Sequence, residues 1–271
     1  MKLSDMRALL DKRNIQLTKS LGQNFLHDKH QLECIADAGA VTKADKVLEI
    51  GPGLGPLTEL LLERAGEVLA IEMDARLVAV LRERFPQLNL VHADALAFIK
   101  RERRDWSEWK LVANLPYSVA SPILVELALA PQRPKQMTVT LQLEVAQRLM
   151  AQADDDDYGI LTLLVQLDYE PRGWFKIPAS CFFPAPNVDS ACVTLVRREK
   201  PLLPEEQHAA FVKIVKRAFS QRRKMMLKLL KTEWPAEKLQ QAFTGMNISP
   251  MERAEKLSLE QFVNLTKLLA C

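Results

Sequence analysis

The apolar run Val47-Leu48-Glu49-Ile50 leads straight into Gly51-Pro52-Gly53-Leu54-Gly55 and then into the helical spacing of Leu57, Leu60, Leu61 and Leu62. No other stretch constrains the fold as much as this order of strand, glycine turn and helix. Glycines in such a turn adopt backbone angles that other residues resist and let the main chain approach a ligand, while the helix N-terminus favours negative charge. A nucleotide-like cofactor is implied. The dinucleotide fingerprint G-x-G-x-x-G would place its third glycine at position 56, which is Pro56, so a nicotinamide or flavin is disfavoured.

Three further strand-like runs follow at intervals near twenty residues. Val68-Leu69-Ala70-Ile71 ends at Glu72, Leu88 to Val91 ends in His92-Ala93-Asp94, and Leu111-Val112-Ala113 delivers Asn114. Strand tips carrying Gly, Glu, Asp and Asn at this spacing fit successive βα units of a parallel sheet, whose ligands gather at the carboxyl ends of the strands. An acid at the second tip can hold both hydroxyls of a ribose, and one at the third can accept from an adenine amine. Either acid alone reads as a solvated residue after a strand; beside the glycine turn, the ligand reading prevails.

Asn114-Leu115-Pro116-Tyr117 offers an amide, a carbonyl and an aromatic ring together. The exocyclic amine of a purine is a poor nucleophile because its lone pair is delocalised into the ring, so an enzyme that alkylates it must hold it. The Asn114 side-chain oxygen and the Pro116 carbonyl can each accept an amine hydrogen while Tyr117 stacks on a flipped-out base. In isolation the four residues also read as a strand end with a proline turn and a core tyrosine.

With these residues in place, the chain resembles the ribosomal RNA adenine N6-dimethyltransferases along nearly its whole length. Within them it resembles the kasugamycin-sensitivity type, which modifies two adjacent adenosines in the 3'-terminal hairpin of small-subunit RNA. Lys19 to Leu26 is similar to the family's N-terminal cofactor segment, Glu49 to Gly55 to its glycine loop, and Asn114 to Tyr117 to its catalytic tetrapeptide. Phe182 to Ser190 matches F-x-P-x-P-x-V-x-S, and Ser220-Gln221-Arg222-Arg223-Lys224 resembles an N/S-Q-R-R-K signature.

The resemblance implies S-adenosylmethionine as cofactor, held by Asn24, Leu26, Gly51, Gly53, Glu72, Asp94 and Asn114, with Glu72 on the ribose and Asp94 on the adenine. It implies that Asn114 and Pro116 receive the target amine and that Tyr117 and Phe182 sandwich the base. Phe182 is preferred to Phe183 because it holds the first position of its segment. The chain departs from the family at Asn187, where lysine is usual, and in the pair Gly55-Pro56. Proline is well suited to the first turn of a helix. The implied chemistry is a direct displacement by the amine on the sulfonium methyl, dependent on positioning and desolvation more than on a strong base.

The expected fold is α/β: a Rossmann-like, seven-stranded methyltransferase domain over residues 1–200, followed by a small α-helical domain over 201–271. At 271 residues with 48% hydrophobic composition the chain can support both. Met137 to Leu141 reads as a fifth strand, Glu144 to Met150 and Ile160 to Gln166 as helices, and Trp174 to Ile177 with Cys192 to Val196 as a closing hairpin. Pro201 and Pro204 mark the boundary. Helical patterns then cover Glu205 to Phe219, Arg222 to Lys231, Ala236 to Phe243 and Leu259 to Leu269.

Net charge is only +3, yet Lys213 to Lys231 contains eight lysines and arginines and no acid. Interleaved with apolar residues, that run reads as an RNA-facing cationic surface, with Arg222, Arg223 and Lys224 as phosphate contacts. Asp154 to Asp157 reads as a loop. Cys34, Cys181, Cys192 and Cys271 show no C-x-x-C spacing, and His27, His30 and Cys34 read as a polar helix face, so no metal is expected. With no apolar stretch of bilayer length and no signal-peptide core, a cytoplasmic protein is expected; the resemblance implies 16S rRNA in the small ribosomal subunit as partner, and a monomer is expected. Two other functions stay open: methylation of large-subunit RNA, as in the erythromycin-resistance enzymes, or of DNA; and a chiefly binding role in ribosome assembly.

Overall fold

The computed structural model describes residues 1–17, 23–221 and 223–270. Its strands are β1 (Phe25–Leu26), β2 (Lys46–Ile50), β3 (Glu67–Glu72), β4 (Asn89–His92), β5 (Trp109–Asn114), β6 (Gln136–Gln142), β7 (Tyr169–Ile177), β8 (Phe182–Phe183) and β9 (Ser190–Arg197). Helices α1 (Leu3–Lys12), α2 (Lys29–Ala38), α3 (Pro56–Arg64), α4 (Ala75–Arg84), α5 (Ala95–Glu102), α6 (Ala120–Ala128) and α7 (Leu143–Met150) alternate with the first strands. Helices α8 (Ile160–Gln166), α9 (His208–Ala218), α10 (Met226–Leu230), α11 (Ala236–Gly245) and α12 (Leu259–Leu269) complete the set.

The described residues divide into two compact units, 1–146 with 171–197, and 147–170 with 198–270. The second therefore includes residues 147–170 in addition to the chain beyond 197.

The seven-stranded sheet has the order β4-β3-β2-β5-β6-β9-β7. β2 is parallel to both β3 and β5, with Ile50 opposite Ile71 and Leu48 opposite Leu111. The chain thus builds outward from β2 through β3 to β4, then returns to lay β5 on the other side of β2. Strand order reverses there, and a crevice opens between the two loops that diverge. Helices flank these strands, and Val47, Leu48 and Ile50 are buried, which is why β2 reads as an apolar run broken only by Glu49.

The last strands differ from a simple hairpin. β9 inserts between β6 and β7, antiparallel to β6, with Thr140 opposite Cys192. The connection from β7 to β9 instead carries β8, which pairs antiparallel with β1 in a separate two-stranded ribbon. Two-residue strands are too short for periodicity to reveal.

Asp45 ties the amino ends of the central strands together. Its carboxylate accepts hydrogen bonds from the Thr42 backbone N–H and hydroxyl (2.8 and 2.9 Å), from Lys110 Nζ on β5 (3.0 Å) and from Lys135 Nζ beside β6 (2.8 Å). Lys110 also donates to the Ala40 carbonyl at 2.6 Å. Asp45 and Lys110 are both buried.

The second unit has its own apolar centre. Tyr158 meets Phe219 edge-on at 6.2 Å, Phe219 stacks on Phe262 at 6.0 Å, and the buried Tyr158 hydroxyl donates to the Leu257 carbonyl at 2.8 Å. α9 buries Phe211, Ile214 and Val215. The expected helix over Arg222 to Lys231 shrinks to α10, five residues long. Cations in a first helical turn oppose the helix dipole, so the basic stretch forms a turn and the helix starts at Met226. Asp154 to Asp157 is a loop, as expected, and Asp154 pairs with Lys256.

Removing the Asp45 carboxylate strands buried lysine charge, so Asp45→Ala should destabilise the protein by about 3–5 kcal/mol. Urea unfolding would measure it; a loss near that of an exposed ion pair would show that Lys110 is satisfied by Ala40 alone.

Candidate active site

A pocket of about 220 Å³ opens at the carboxyl ends of β2 to β5. Its wall includes Asn24, Leu26, Gly51, Gly53, Glu72, Asp94, Asn114, Pro116 and Tyr117, residues that lie up to 93 positions apart in the sequence. The sheet topology explains the gathering. The loop after β2 and the loop after β5 flank the point of strand reversal, close enough that a Cβ on Gly51 would lie 3.1 Å from the Pro116 ring. Gly53, at φ +62°, has no room for one: it would lie 2.6 Å from the Phe25 ring.

Glu72 at the tip of β3 organises the glycine turn. One carboxylate oxygen accepts from Gly53 N–H (3.1 Å) and the other from Met73 and Asp74 N–H (both 2.9 Å). Burial raises its pKa and outweighs those three donors, which act in the opposite direction. A carboxylate offers about four acceptor sites, so one remains for a ribose hydroxyl. Asp94 caps α5 by accepting from Ala97 N–H at 2.7 Å, and it is exposed. Asp74 caps α4 and takes the Gln23 amide at 2.9 Å, tying the N-terminal segment to the same edge.

Two buried side-chain oxygens of the pocket wall have no hydrogen-bond partner among the described residues. Asn114 donates its amide N–H to the Asn24 carbonyl at 3.1 Å, and that carbonyl can only accept, which fixes the orientation of the amide. Asn114 Oδ1 is then buried with no hydrogen-bond partner among the described residues. Buried acceptors are normally paired, so this one is poised for an external donor. The Pro116 carbonyl accepts from Val119 N–H at 3.1 Å and keeps a second lone pair.

The second orphan is Glu49 Oε2, on a side chain 2% exposed that also lines the pocket. Burial pushes this carboxyl up to about 8; the nearby Thr58 hydroxyl offsets part of that and the Glu72 charge adds to it. The site residues named from the sequence did not include it. Its signal was a lone acid inside an otherwise apolar strand, at the entrance to the glycine turn.

Phe182 stands apart from the pocket. β1 and β8 pair Leu26 with Phe182 and Phe25 with Phe183. Alternation across this ribbon sends Phe182, 3% exposed, into the core with Leu32 and Ile35, while Phe183 joins Phe25 and Leu54 and lies 4.8 Å below the Arg7 guanidinium. The sandwich expected of Tyr117 and Phe182 is therefore not assembled here: Tyr117 lines the pocket, whereas Phe182 is buried among core residues and is not part of its lining.

In the second unit Arg223 and Lys224 are exposed in the turn before α10, and Arg222 lies outside the described residues. Folding tempers the basic run, because Glu233 pairs with Lys213 at 2.8 Å. Cys34 Sγ lies 3.6 Å from His30 Nε2 on α2, and among the described residues no three His, Cys, Asp or Glu side chains are grouped to hold a metal. None of the described helices is long and apolar enough to cross a membrane.

The Glu49 shift has a measurable consequence. Its ordinary value is 4.5 and its folded value about 8, so the folded state binds the extra proton between them. The stabilisation from a neutral Glu49 is fully present below about pH 4.5 and is lost as pH rises through about 8. Glu49→Gln should remove that slope from the thermal stability of the cofactor-free protein; an unchanged slope would mean that Glu49 is already ionised.

The geometry fits a nucleoside cofactor: acids at two strand tips, buried oxygens on Glu49 and Asn114 without a partner among the described residues, and a glycine cradle. The ribosomal RNA adenine dimethylase family model matches residues 14–271. Ribosomal RNA small subunit methyltransferase A of Clostridium perfringens is 40% identical over 94% of this chain and 92% of its own length. Its counterpart in Geobacillus kaustophilus is 36% identical over 97% and 94%. Among solved structures, the 23S rRNA methyltransferase ErmE superposes with a TM-score of 0.69 at 28% identity, covering 92% of this chain and all of that one. A dimethyladenosine transferase from Plasmodium falciparum superposes at 0.76 with 24% identity, covering 89% and 95%. The chain belongs to the ribosomal RNA adenine dimethylase family and is an S-adenosylmethionine-dependent rRNA adenine methyltransferase.

Proposed function

We propose that the chain dimethylates N6 of two adjacent adenosines in the 3'-terminal hairpin loop of 16S rRNA, within the small ribosomal subunit. It acts as a cytoplasmic monomer and contributes to maturation of that subunit. The observation that carries the reading is the buried, unpartnered Asn114 Oδ1 in the pocket wall. An adenine amine has two hydrogens to give, and the orphaned amide oxygen and the spare lone pair of the Pro116 carbonyl are acceptors for them. Drawing both hydrogens aside turns the nitrogen lone pair out of the ring plane. Tyr117 stacks on the base, and Phe182 contributes its second face once its ring leaves the core.

Asn24, Leu26, Gly51, Gly53, Glu72, Asp94 and Asn114 would hold S-adenosylmethionine, which supplies a methyl group on a positively charged sulfur. Glu72 holds the ribose and Asp94 the adenine amine. Glu49 ionises as it meets the cationic end of the cofactor. No strong base is required, because the amine is oriented rather than deprotonated. In the second unit Arg222, Arg223 and Lys224 bind RNA phosphates.

Methyl transfer to purified, unmethylated small subunits, with nucleoside analysis, tests the whole reading. Dimethyladenosine at both adjacent positions is expected, and Asn114→Ala should lower kcat by about two orders of magnitude with subunit affinity nearly intact. Incorporation only into large-subunit RNA would move the chain to the ErmE type, which the 28% identity keeps in view. Subunit binding without incorporation would favour an assembly role. Replacing Arg222, Arg223 and Lys224 together with alanine should lower the salt slope of RNA binding by about 2–3; an unchanged slope would remove these residues from the interface.

A further inference from the structure

Tyr117 sits on a turn at the pocket wall, and its far end is tied down. Its hydroxyl shares a hydrogen bond with Ser190 Oγ at 2.5 Å. Among the described residues neither hydroxyl has another partner. Ser190 is fully buried and opens β9, in register with Gln142 at the end of β6. Its neighbour Asp189 is pinned on three sides. The Asp189 carboxylate accepts from Ala179 N–H at 2.9 Å and from Lys176 Nζ at 2.7 Å, and its carbonyl accepts from Leu143 N–H at 3.0 Å. Ser190 is thus a fixed point of the sheet.

Stacking on a base requires only an aromatic ring, which phenylalanine also supplies. The hydroxyl therefore has a different task. A tyrosine on a turn can swing about its first side-chain torsion, and a hydrogen bond at the end of the ring restrains that swing. The two sequence segments, Asn114 to Tyr117 and Phe182 to Ser190, meet through this bond.

We propose that Ser190 is a positioning residue for methyl transfer: by holding the Tyr117 hydroxyl it fixes where the ring sits at the pocket wall, and so the depth at which N6 of the stacked base reaches Asn114. The proposal rests on the stacking role of Tyr117 given above. Its largest effect falls on the second transfer, where the amine already carries a methyl and retains one hydrogen to direct it.

The test uses unmethylated small subunits, saturating S-adenosylmethionine and the full-length variants Ser190→Ala, Ser190→Thr, Tyr117→Phe, Tyr117→Ala and the Ser190→Ala/Tyr117→Phe double variant. Ser190→Ala should lower kcat about tenfold, leave KM for the subunit within about twofold and let N6-monomethyladenosine accumulate. Ser190→Thr, which keeps the hydroxyl, should restore the dimethyl product. Tyr117→Phe should match Ser190→Ala, and the double variant should be no worse than either, because both remove one bond. Losses that multiply in the double variant would overturn the proposal. So would wild-type kcat in Ser190→Ala alongside an inactive Tyr117→Ala, a result that leaves the stacking role standing. Wild-type activity in Tyr117→Ala would remove the stacking role itself. Should Ser190→Ala fail to fold, Tyr117→Phe breaks the same bond from the other end, and wild-type product ratios there would also overturn it.

Discussion

The reversal of strand order between β2 and β5 governs the rest of the structure. Parallel strands buried on both faces bring their carboxyl ends to one edge, and the reversal parts the loops at that edge into a crevice. The pocket, the glycine turn and the Asn114 tetrapeptide all occupy it. The buried Asp45 cluster holds β2, β5 and the start of β6 in register at the opposite end.

Charge is arranged across that sheet with opposite logic at its two ends. Asp45 is surrounded by lysines and hydroxyl donors, and it is ionised and structural. Glu49 and Glu72 are buried at the ligand end, and burial raises both. Glu72 is stabilised by three backbone donors that also shape the turn. Glu49 has an oxygen with no partner among the described residues. The ligand end therefore keeps two buried oxygens, on Glu49 and Asn114, without a hydrogen-bond partner among the described residues. Interactions left open in the free protein are those that a ligand can complete without displacing protein partners.

Much of the site was legible because its residues end strands. Gly51, Glu72, Asp94 and Asn114 each follow an apolar run, and parallel βα units carry such tips to one edge. The roles of Phe182 and Ser190 were harder to read. Phe182 was chosen over Phe183 by its place in a motif, yet the β1–β8 ribbon decides which ring faces the core. Ser190 shows as one more small polar residue until β9 inserts beside β6 and brings it to Tyr117. The basic run was visible as a charge pattern, but only folding shows that Glu233 neutralises part of it and that the turn before α10 presents Arg223 and Lys224.

By itself the sequence determined the parallel α/β class, the glycine turn and the strand-end tetrapeptide Asn114 to Tyr117 that line one pocket, because these depend on local periodicity and on chemistry at strand ends. Only the tertiary structure decided which polar atoms lack a partner, which aromatic ring lies free in the pocket and what anchors it. Those properties depend on neighbours distant in the chain: Asn24 beside Asn114, Glu72 beside Glu49, Ser190 beside Tyr117. Hydrogen-bond satisfaction and burial are sums over such neighbours, and no window of sequence contains them.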